Sequence, residues 1–546
     1  MRQQEPPGAP AMQTEESSSG TPGPRGNISR RALIGGLAAS ALAGPALARR
    51  PKPVRRRDDD ALDVAIVGAG VSGCYAAWRL SARAGSPTRI EIFERSDRIG
   101  GRLLSIKPDG MTSQIAELGG MRIASTQTPL LNLVKQLGLE LELFPPTVAS
   151  DLYYLRGIRT RAGELRCSPE FGYRPRAELL GKTPDEVFKH LLGTVTGRVD
   201  WTREAFDKAR NSLTYQGRPL YDLPYEYVFL NVLGTEGARF IAETTGYGRP
   251  NIQDLAFMEE AALDMFISEF HHVRGGYDQV PHTLAKRAMG RGVGLTFGAS
   301  LRDVRFDDGG LVRLAFEMAD GTARVVQAKS AVLAIPDSAY GLLDGDGPLR
   351  RANGLTRMLG GLAHVEAMKT YCSFETQWWR PLGIDRGRSI TDLPMRQCFY
   401  LPDPSGRGVT LSPYVSGRRA VGFWTGIAEP IRDHQLDPNG LAGREIVRQL
   451  GELHGIDVPR PTQIHSRLFD GGHVGYGWNM WRPGVRSWEI VSGGRKPFAD
   501  RPLYCIGQAT AEFQGWVMGT LGSTEAVLRQ HFGLPRADWW PADFPL

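Results

Sequence analysis

The chain has 546 residues, 41% of them hydrophobic and 23% charged, so it can bury a large interior and should form two or three structural units rather than one. Its net charge of +7 does not point to nucleic acid: Arg49, Arg50, Lys52, Arg55, Arg56 and Arg57 crowd one segment, Asp58, Asp59 and Asp60 oppose them at once, and no basic patch is interleaved with aromatics. The five cysteines, Cys74, Cys167, Cys372, Cys398 and Cys505, form no CxxC and no metal-ligand spacing, and the adjacent His271 and His272 diverge on either a helix or a strand, so no metal centre is expected.

Near the start, Ser29, Arg30 and Arg31 precede the apolar run Ala32 to Ala43, and Ala46, Leu47 and Ala48 follow. A basic region, a short apolar region and small residues are the parts of a secretory signal, and the paired arginines suggest twin-arginine export. The run is too short and too rich in Ala and Gly to span a bilayer, so no stable membrane anchor is expected. A basic tail with an Ala-rich patch is the alternative.

From Asp63 to Val67 an apolar strand runs into Gly68, Gly70 and Gly73, and a small-residue helix with Ala76, Ala77 and Leu80 follows. In that context the first glycine permits a tight turn, the second lets backbone amides approach a pyrophosphate, and the third lets helix and strand pack closely. A second strand, Arg89 to Phe93, ends at Glu94, whose carboxylate can accept hydrogen bonds from ribose hydroxyls and disfavours a 2′-phosphate. Then come a second glycine turn with a cation, Gly100, Gly101 and Arg102, and the segment AELGGMR ending at Arg122.

Together these blocks resemble the FAD-binding start of the flavin amine oxidase family, which includes monoamine, polyamine and L-amino acid oxidases. The far end agrees: Leu503 to Ile506 reads as a strand, Gly507 follows, and Gly515 to Leu528 resembles the family's closing turn and helix. The resemblance extends from about residue 61 to about 535. It implies FAD as cofactor, held by Gly68, Ala69, Gly70, Ser72, Gly73, Glu94, Arg95, Gly101, Arg102, Gly119, Gly120, Met121, Arg122, Leu301, Gln508, Gly515, Trp516, Val517 and Thr520.

Between these ends, Leu130, Val134 and Leu137 mark a helix closing at Gly138, and the chain then extends toward Pro145 and Pro146. From about 151 to 270 the sequence reads as mostly helical and polar, with breaks at Gly217 to Pro219 and Gly246 to Pro250. Val273 to Ala285 resembles the family's return into the FAD domain. Gly294 to Phe306 and Leu311 to Phe316 read as a hairpin, followed by strands Arg324 to Ala328 and Ala331 to Ile335. Residues 360 to 489 alternate strands with helices and are rich in Trp. The expected fold class is α/β, a discontinuous Rossmann-like FAD-binding domain (61–105, 273–358 and 490–535) with an inserted mixed-sheet substrate domain (106–150 and 359–489) and a helical subdomain (151–272).

Amino-acid oxidation needs a cation for the carboxylate, a flavin face for the Cα hydrogen, and a route for oxygen. Arg122 can clamp a carboxylate bidentately, unless it pairs with Glu117 instead. By the resemblance, the matching arginine holds the substrate carboxylate in the L-amino acid oxidase branch, and Tyr414 aligns with the tyrosine that shares it. Thr391 to Pro402 also looks like that branch. Lys369 matches the lysine that holds a water beneath flavin N5; the alternative is a snorkelling edge-strand lysine. Trp516 would wall the pocket, with Gly515 offering a carbonyl to the substrate ammonium, while Trp478 and Trp481 receive no role. Gln508 departs from the family's carboxylate, though its amide oxygen can still accept from a ribityl hydroxyl.

The sequence therefore reads as an exported FAD-dependent L-amino acid oxidase acting with O2 on a small L-amino acid, and a homodimer is compatible with it. Open alternatives are an amine or polyamine oxidase, an amino-acid 2-monooxygenase, and an exported flavin-binding protein without turnover. Asp254, Glu259 and Glu260 could favour basic side chains, or form a solvated helix face.

Overall fold

The structure, a computed structural model, describes residues 61–542 and 544, apart from 83–88, 147, 248–254, 257–268, 428–433 and 473. The export segment and Asp254, Glu259 and Glu260 lie outside the described residues. No helix among the described residues is long and apolar enough to cross a membrane.

The β-branched run of strand Leu62–Val67 is buried in the middle of a seven-stranded sheet, parallel to Ile90–Phe93 on one side and to the second half of Ala323–Leu333 on the other. Two glycines set the turn that follows. Gly68 has φ +106, and a Cβ there would meet the Ala334 carbonyl oxygen at 2.5 Å; a Cβ on Gly73 would meet the Gly68 oxygen at 1.9 Å, so helix Val71–Ser81 packs directly onto its own strand. That helix is tied to the last one, Val517–Phe532, by Glu525, which accepts from the Tyr75 hydroxyl at 2.6 Å and lies 3.2 Å from the Arg79 guanidinium.

Two expectations for this sheet are corrected. The stretch 294–306 is two strands: Gly294–Thr296 extends the parallel part beside Ile90–Phe93, Gly298 turns the chain at φ +67, and only Ala299–Phe306 forms the hairpin with Val312–Met318. The two strands read at 324–328 and 331–335 are one, Ala323–Leu333. Its first half pairs antiparallel with Val312–Met318 and its second half parallel with Leu62–Val67 and Leu503–Cys505, so one strand joins the hairpin to the nucleotide sheet.

The second sheet has eight strands, in the order Gln435–Leu436, Gln463–Phe469, Ala367–Phe374, Gly408–Ser416, Gln397–Pro402, Gly387–Thr391, Leu152–Leu155 and Ile158–Arg161. The last two correct the reading of 151 onward as helical: they are a hairpin, turned by Arg156 at φ 55 and Gly157 at φ 79. Helical structure begins beyond it. Helix Pro184–Thr196 starts at a capping box of Thr183 and Glu186, and helix Tyr225–Thr244 bends at Gly234 and packs on strand Gly387–Thr391. Their shared core includes Phe188, Leu191, Phe240 and Ile241, each worth about 1.5–3 kcal/mol on burial. All five cysteines are buried free thiols, and Cys372 and Cys398 are not bridged.

Candidate active site

A cavity of about 1670 Å3 runs from the glycine turns of the first sheet to the inner face of the second. At the nucleotide end Gly68, Gly70, Ser72, Glu94, Arg95, Gly101, Arg102 and Leu301 line it. Ala69 and Gly73 stand behind that lining: the Ala69 amide donates to Glu94 Oε2 at 2.7 Å, and Gly73 serves the helix–strand contact. Glu94 Oε1 accepts from both the Ser96 amide and its hydroxyl at 2.8 Å, so the carboxylate is fixed in place before any ribose meets it.

The middle of the cavity is built for an anion and a polar ring. Helix Val517–Phe532 begins at Trp516 with no side-chain cap, and Val517 and Thr520 line the cavity, so the helix's first amides and the positive end of its dipole face it. Arg467, which sequence reasoning missed, lines the same stretch; it donates to the Gly101 carbonyl at 3.0 Å, while its Nε and Nη1 are buried without a hydrogen-bond partner among the described residues. Burial, with Arg98 and Arg102 nearby, lowers its pKa to about 9.

At Gln508 the expectation changes. Its Oε1 accepts from Arg102, and because arginine can only donate, this orientation is fixed; Nε2 is the buried atom left without a partner among the described residues. The acceptor expected to serve a ribityl hydroxyl is therefore engaged by Arg102.

At the substrate end the register of the second sheet places the chemistry. Lys369 is the cross-strand partner of Tyr414 on one side and of Arg467 on the other, so all three belong to one row across the sheet. The strand of Lys369 is central and its side chain only 3% exposed, which excludes the edge-lysine alternative. Its Nζ donates to the Gly119 carbonyl at 2.7 Å and lies 5.2 Å from the Tyr414 ring centre. Burial, reinforced by Arg122 and opposed by Glu117, lowers the Lys369 pKa; burial raises that of Glu117 in turn.

Arg122 does not hydrogen-bond to Glu117, whose oxygens accept from the Ser105 hydroxyl and the Tyr277 amide, each at 2.7 Å. Instead Arg122 Nη2 donates to the Tyr247 hydroxyl at 2.8 Å, and its guanidinium lies 4.3 Å from the Phe270 ring centre. Phe270 in turn stacks on Trp516 at 6.1 Å and 14°. Gly515, at φ +87 with open space where a Cβ would stand, precedes that tryptophan. Gly119, Gly120, Met121, Arg122, Lys369, Tyr414, Gly515 and Trp516 thus share one cavity.

Sequence reasoning also missed Tyr247, Arg388, Phe270 and Phe399, all lining residues. Tyr247 was legible only as part of a glycine-rich break, and Arg388 as one arginine among several before Thr391. Trp478 lines the cavity edge-on to Tyr247 at 6.5 Å, whereas Trp481 is a core residue whose indole donates to the Glu512 carbonyl. His271 and His272 do not line the cavity, and His272 sits 3.3 Å from Glu142.

FAD fits this arrangement on three counts: a cradle between Gly70 and Gly101 where a Cβ on the latter would meet backbone at 3.2 Å, orphaned donors on Arg467 and Gln508, and an uncapped helix N-terminus. The volume exceeds that of a pocket for one small ligand and suits a dinucleotide with a substrate beside it.

Similar proteins bear this out. The chain is 26% identical to aplysianin-A of Aplysia kurodai, over 87% of this chain and 91% of that one, and 26% identical to an L-amino-acid oxidase of Mus musculus, over 83% and 68%. It is 22% identical to the L-amino acid oxidase Bs29 of Bothriechis schlegelii, over 84% and 88%. Among solved structures, a putrescine oxidase variant matches with a TM-score of 0.64 at 19% identity, and cyclohexylamine oxidase from Brevibacterium oxydans with 0.62 at 16%; each match covers 86% of this chain and 99% of the other, and at such identities it speaks for the fold. The model of the flavin containing amine oxidoreductases matches residues 71–526, and the chain is a member of that family, a flavin-dependent oxidoreductase with FAD as its cofactor.

Proposed function

We propose that the protein is an L-amino acid oxidase, converting an L-amino acid, O2 and water to a 2-oxo acid, ammonia and hydrogen peroxide. The observation that carries this reading is Arg122: a guanidinium, oriented by Tyr247 and Phe270, lines the substrate end of the cavity beside Tyr414 and Trp516. An alkylammonium substrate has no use for a cation there and is repelled by it, which weighs against the amine oxidase alternative.

FAD, when bound, supplies the two-electron acceptor that O2 regenerates. The chain's own residues do the rest. Arg122 holds the α-carboxylate with two parallel N–H donors, and the Tyr414 hydroxyl, whose buried position raises its pKa and keeps its proton, adds a third. The Gly515 carbonyl accepts from the amino group, and the aromatic walls of Phe270 and Trp516 exclude water. Lys369 holds a water on the row it shares with Tyr414. Hydride loss from Cα requires the neutral amine, so turnover rises with pH as the bound ammonium loses its proton.

The reading extends to export by the twin-arginine route, supported by Arg30 and Arg31 ahead of the apolar run. Replacing both by Lys should hold the protein in the cytoplasm.

The deciding experiment is a peroxide assay of the purified holoenzyme against the twenty L-amino acids and common amines, with anaerobic bleaching of the flavin alongside. Turnover of amines alone would overturn the reading in favour of an amine oxidase; an amide product would point to a monooxygenase; no bleaching by any substrate would leave a flavin-binding protein without turnover.

A further inference from the structure

A second guanidinium shares the substrate end of the cavity. Arg388, on strand Gly387–Thr391, lines it together with Arg122, Tyr247, Phe399 and Tyr414. It is only 8% exposed. Its Nη2 donates to the Thr245 carbonyl, and its Nε has no hydrogen-bond partner among the described residues. The guanidinium carbon lies 5.6 Å from the Tyr247 ring centre and 5.5 Å from that of Phe399. No ion pair joins Arg388 to a carboxylate among the described residues: Asp151 receives its backbone amide at 2.9 Å, not its side chain. The acids that line the cavity on the helical side, Asp185 and Glu226, belong to the first turns of their helices, and Asp185 is paired with Lys189 at 2.7 Å.

Arg122 and Arg388 thus attend one tyrosine, the first at its hydroxyl and the second within reach of its ring. A monocarboxylic amino acid answers one of these cations and leaves the other buried beside the substrate side chain. Burying a charge without a partner is costly, and a ligand that supplies the partner gains what the empty site lacks. A basic side chain would meet repulsion at the same place.

We infer that Arg388 is a specificity residue for a side-chain carboxylate, and that the preferred substrates are dicarboxylic L-amino acids, with Arg122 taking the α-carboxylate and Arg388 the distal one. The inference rests on the L-amino acid oxidase reading and names its substrate class.

The test compares L-glutamate with L-glutamine and L-aspartate with L-asparagine on holoenzyme, in wild type, Arg388→Met and Arg388→Lys, after flavin content and circular dichroism have established that each variant is folded. Wild type should prefer each acid over its amide by at least about 10-fold in kcat/KM, and in Arg388→Met the acid-to-amide ratio should fall by about 100-fold, the loss expected when one partner of a buried charge pair is removed. Arg388→Lys should keep part of the preference. Glutarate, which cannot be oxidised, should perturb the flavin spectrum of wild type and bind Arg388→Met far more weakly. Equal turnover of acid and amide by wild type, a preference for lysine or arginine, or an unchanged ratio in Arg388→Met overturns the inference while leaving the L-amino acid oxidase reading intact. If no amino acid bleaches the flavin, that reading fails and this inference with it.

Discussion

Arg122 and Tyr247 meet at 2.8 Å across 125 residues of chain, guanidinium to phenol, at the substrate end of the flavin cavity. The bond joins the glycine-rich segment next to the cofactor site to the end of the helical unit, and Phe270 lies against the same guanidinium. The cation is therefore held in one orientation before substrate arrives, which lowers the ordering cost of binding.

Removing that cation should be severe and removing its support mild. Arg122→Met should lower kcat/KM for the best L-amino acid by about 10³-fold, since a charge-assisted bidentate contact is lost, whereas Tyr247→Phe should cost about 10-fold, mostly in KM. Steady-state peroxide kinetics decide it. Near-equal losses would mean that Tyr247 contacts substrate itself rather than positioning Arg122.

The two ends of this cavity were unequally legible. At the nucleotide end the signals are local: Gly68, Gly70 and Gly73 act within one turn, and Glu94 follows at the end of the next strand, so residue type and spacing carry the meaning. At the substrate end the partners are joined only by the register of the eight-stranded sheet and by packing of the helical unit on it. Nothing near Tyr247 or Arg388 in sequence announces that they meet. The hairpin Leu152–Leu155 and Ile158–Arg161 went unread for a different reason: its turn is Arg156–Gly157, and an arginine at positive φ is a weak turn signal. Strand Ala323–Leu333 was read as two because the polar pair Lys329 and Ser330 interrupts its apolar pattern where it changes partners.

Lys369 should matter more to oxygen than to the amino acid. It is buried on the row of Tyr414 with its ammonium on the Gly119 carbonyl, and a cation there favours charge developing on reduced oxygen. Lys369→Met should lower kcat/KM for O2 by about 10²-fold. Anaerobic bleaching by substrate should change far less. Stopped-flow measurement of the two half-reactions separates these effects, and equal slowing of both would refute the assignment.

Gln508 lines the cofactor cavity and accepts from Arg102 through its amide oxygen. Gln508→Leu removes the acceptor of Arg102, which lines the cavity, so FAD should bind about 10-fold more weakly. Flavin release during dialysis against dilute urea gives the comparison. Retention equal to wild type would mean that the bond between Arg102 and Gln508 does not support the cofactor.

His364 gives the fold a pH-dependent contribution. Its Nδ1 lies 3.0 Å from Asp337 Oδ2, its ring stacks on Tyr476 at 4.4 Å, and Asp337 also accepts from Asn479 at 2.9 Å. The hydrogen bond and charge of Asp337 raise the His364 pKa above its ordinary value, so the stabilisation is fully present below about pH 6.5 and is lost as pH rises through the folded-state pKa. Wild type should exceed His364→Gln in stability by about 1 kcal/mol more at pH 5.5 than at pH 8.5. Denaturant titrations at the two pH values measure the difference, and a gap independent of pH would count against it.

Asp403 has the opposite sign and a larger effect. Only 2% exposed, it accepts from the amides of Thr112, Ser113, Gln114 and Ser405, at 2.9–3.1 Å, and from the Thr112 hydroxyl at 2.6 Å. These bonds pin the turn just before Ala116–Glu117, and Glu117 is the carboxylate whose charge opposes the effect of burial on Lys369. Although burial alone would raise its pKa, the hydrogen bonds hold the carboxyl well below the usual range; its stabilisation is therefore complete above the unfolded value of about 4 and declines as pH falls toward the folded one. Asp403→Ala leaves several inward-facing amides without an acceptor and should cost about 3 kcal/mol at pH 7. Asp403→Asn, which keeps one acceptor oxygen, should cost less. Denaturant titration of wild type and both variants at pH 7 measures this, and a loss under about 1 kcal/mol for the alanine variant would mean that water replaces the carboxylate and that the turn is held by its neighbours instead.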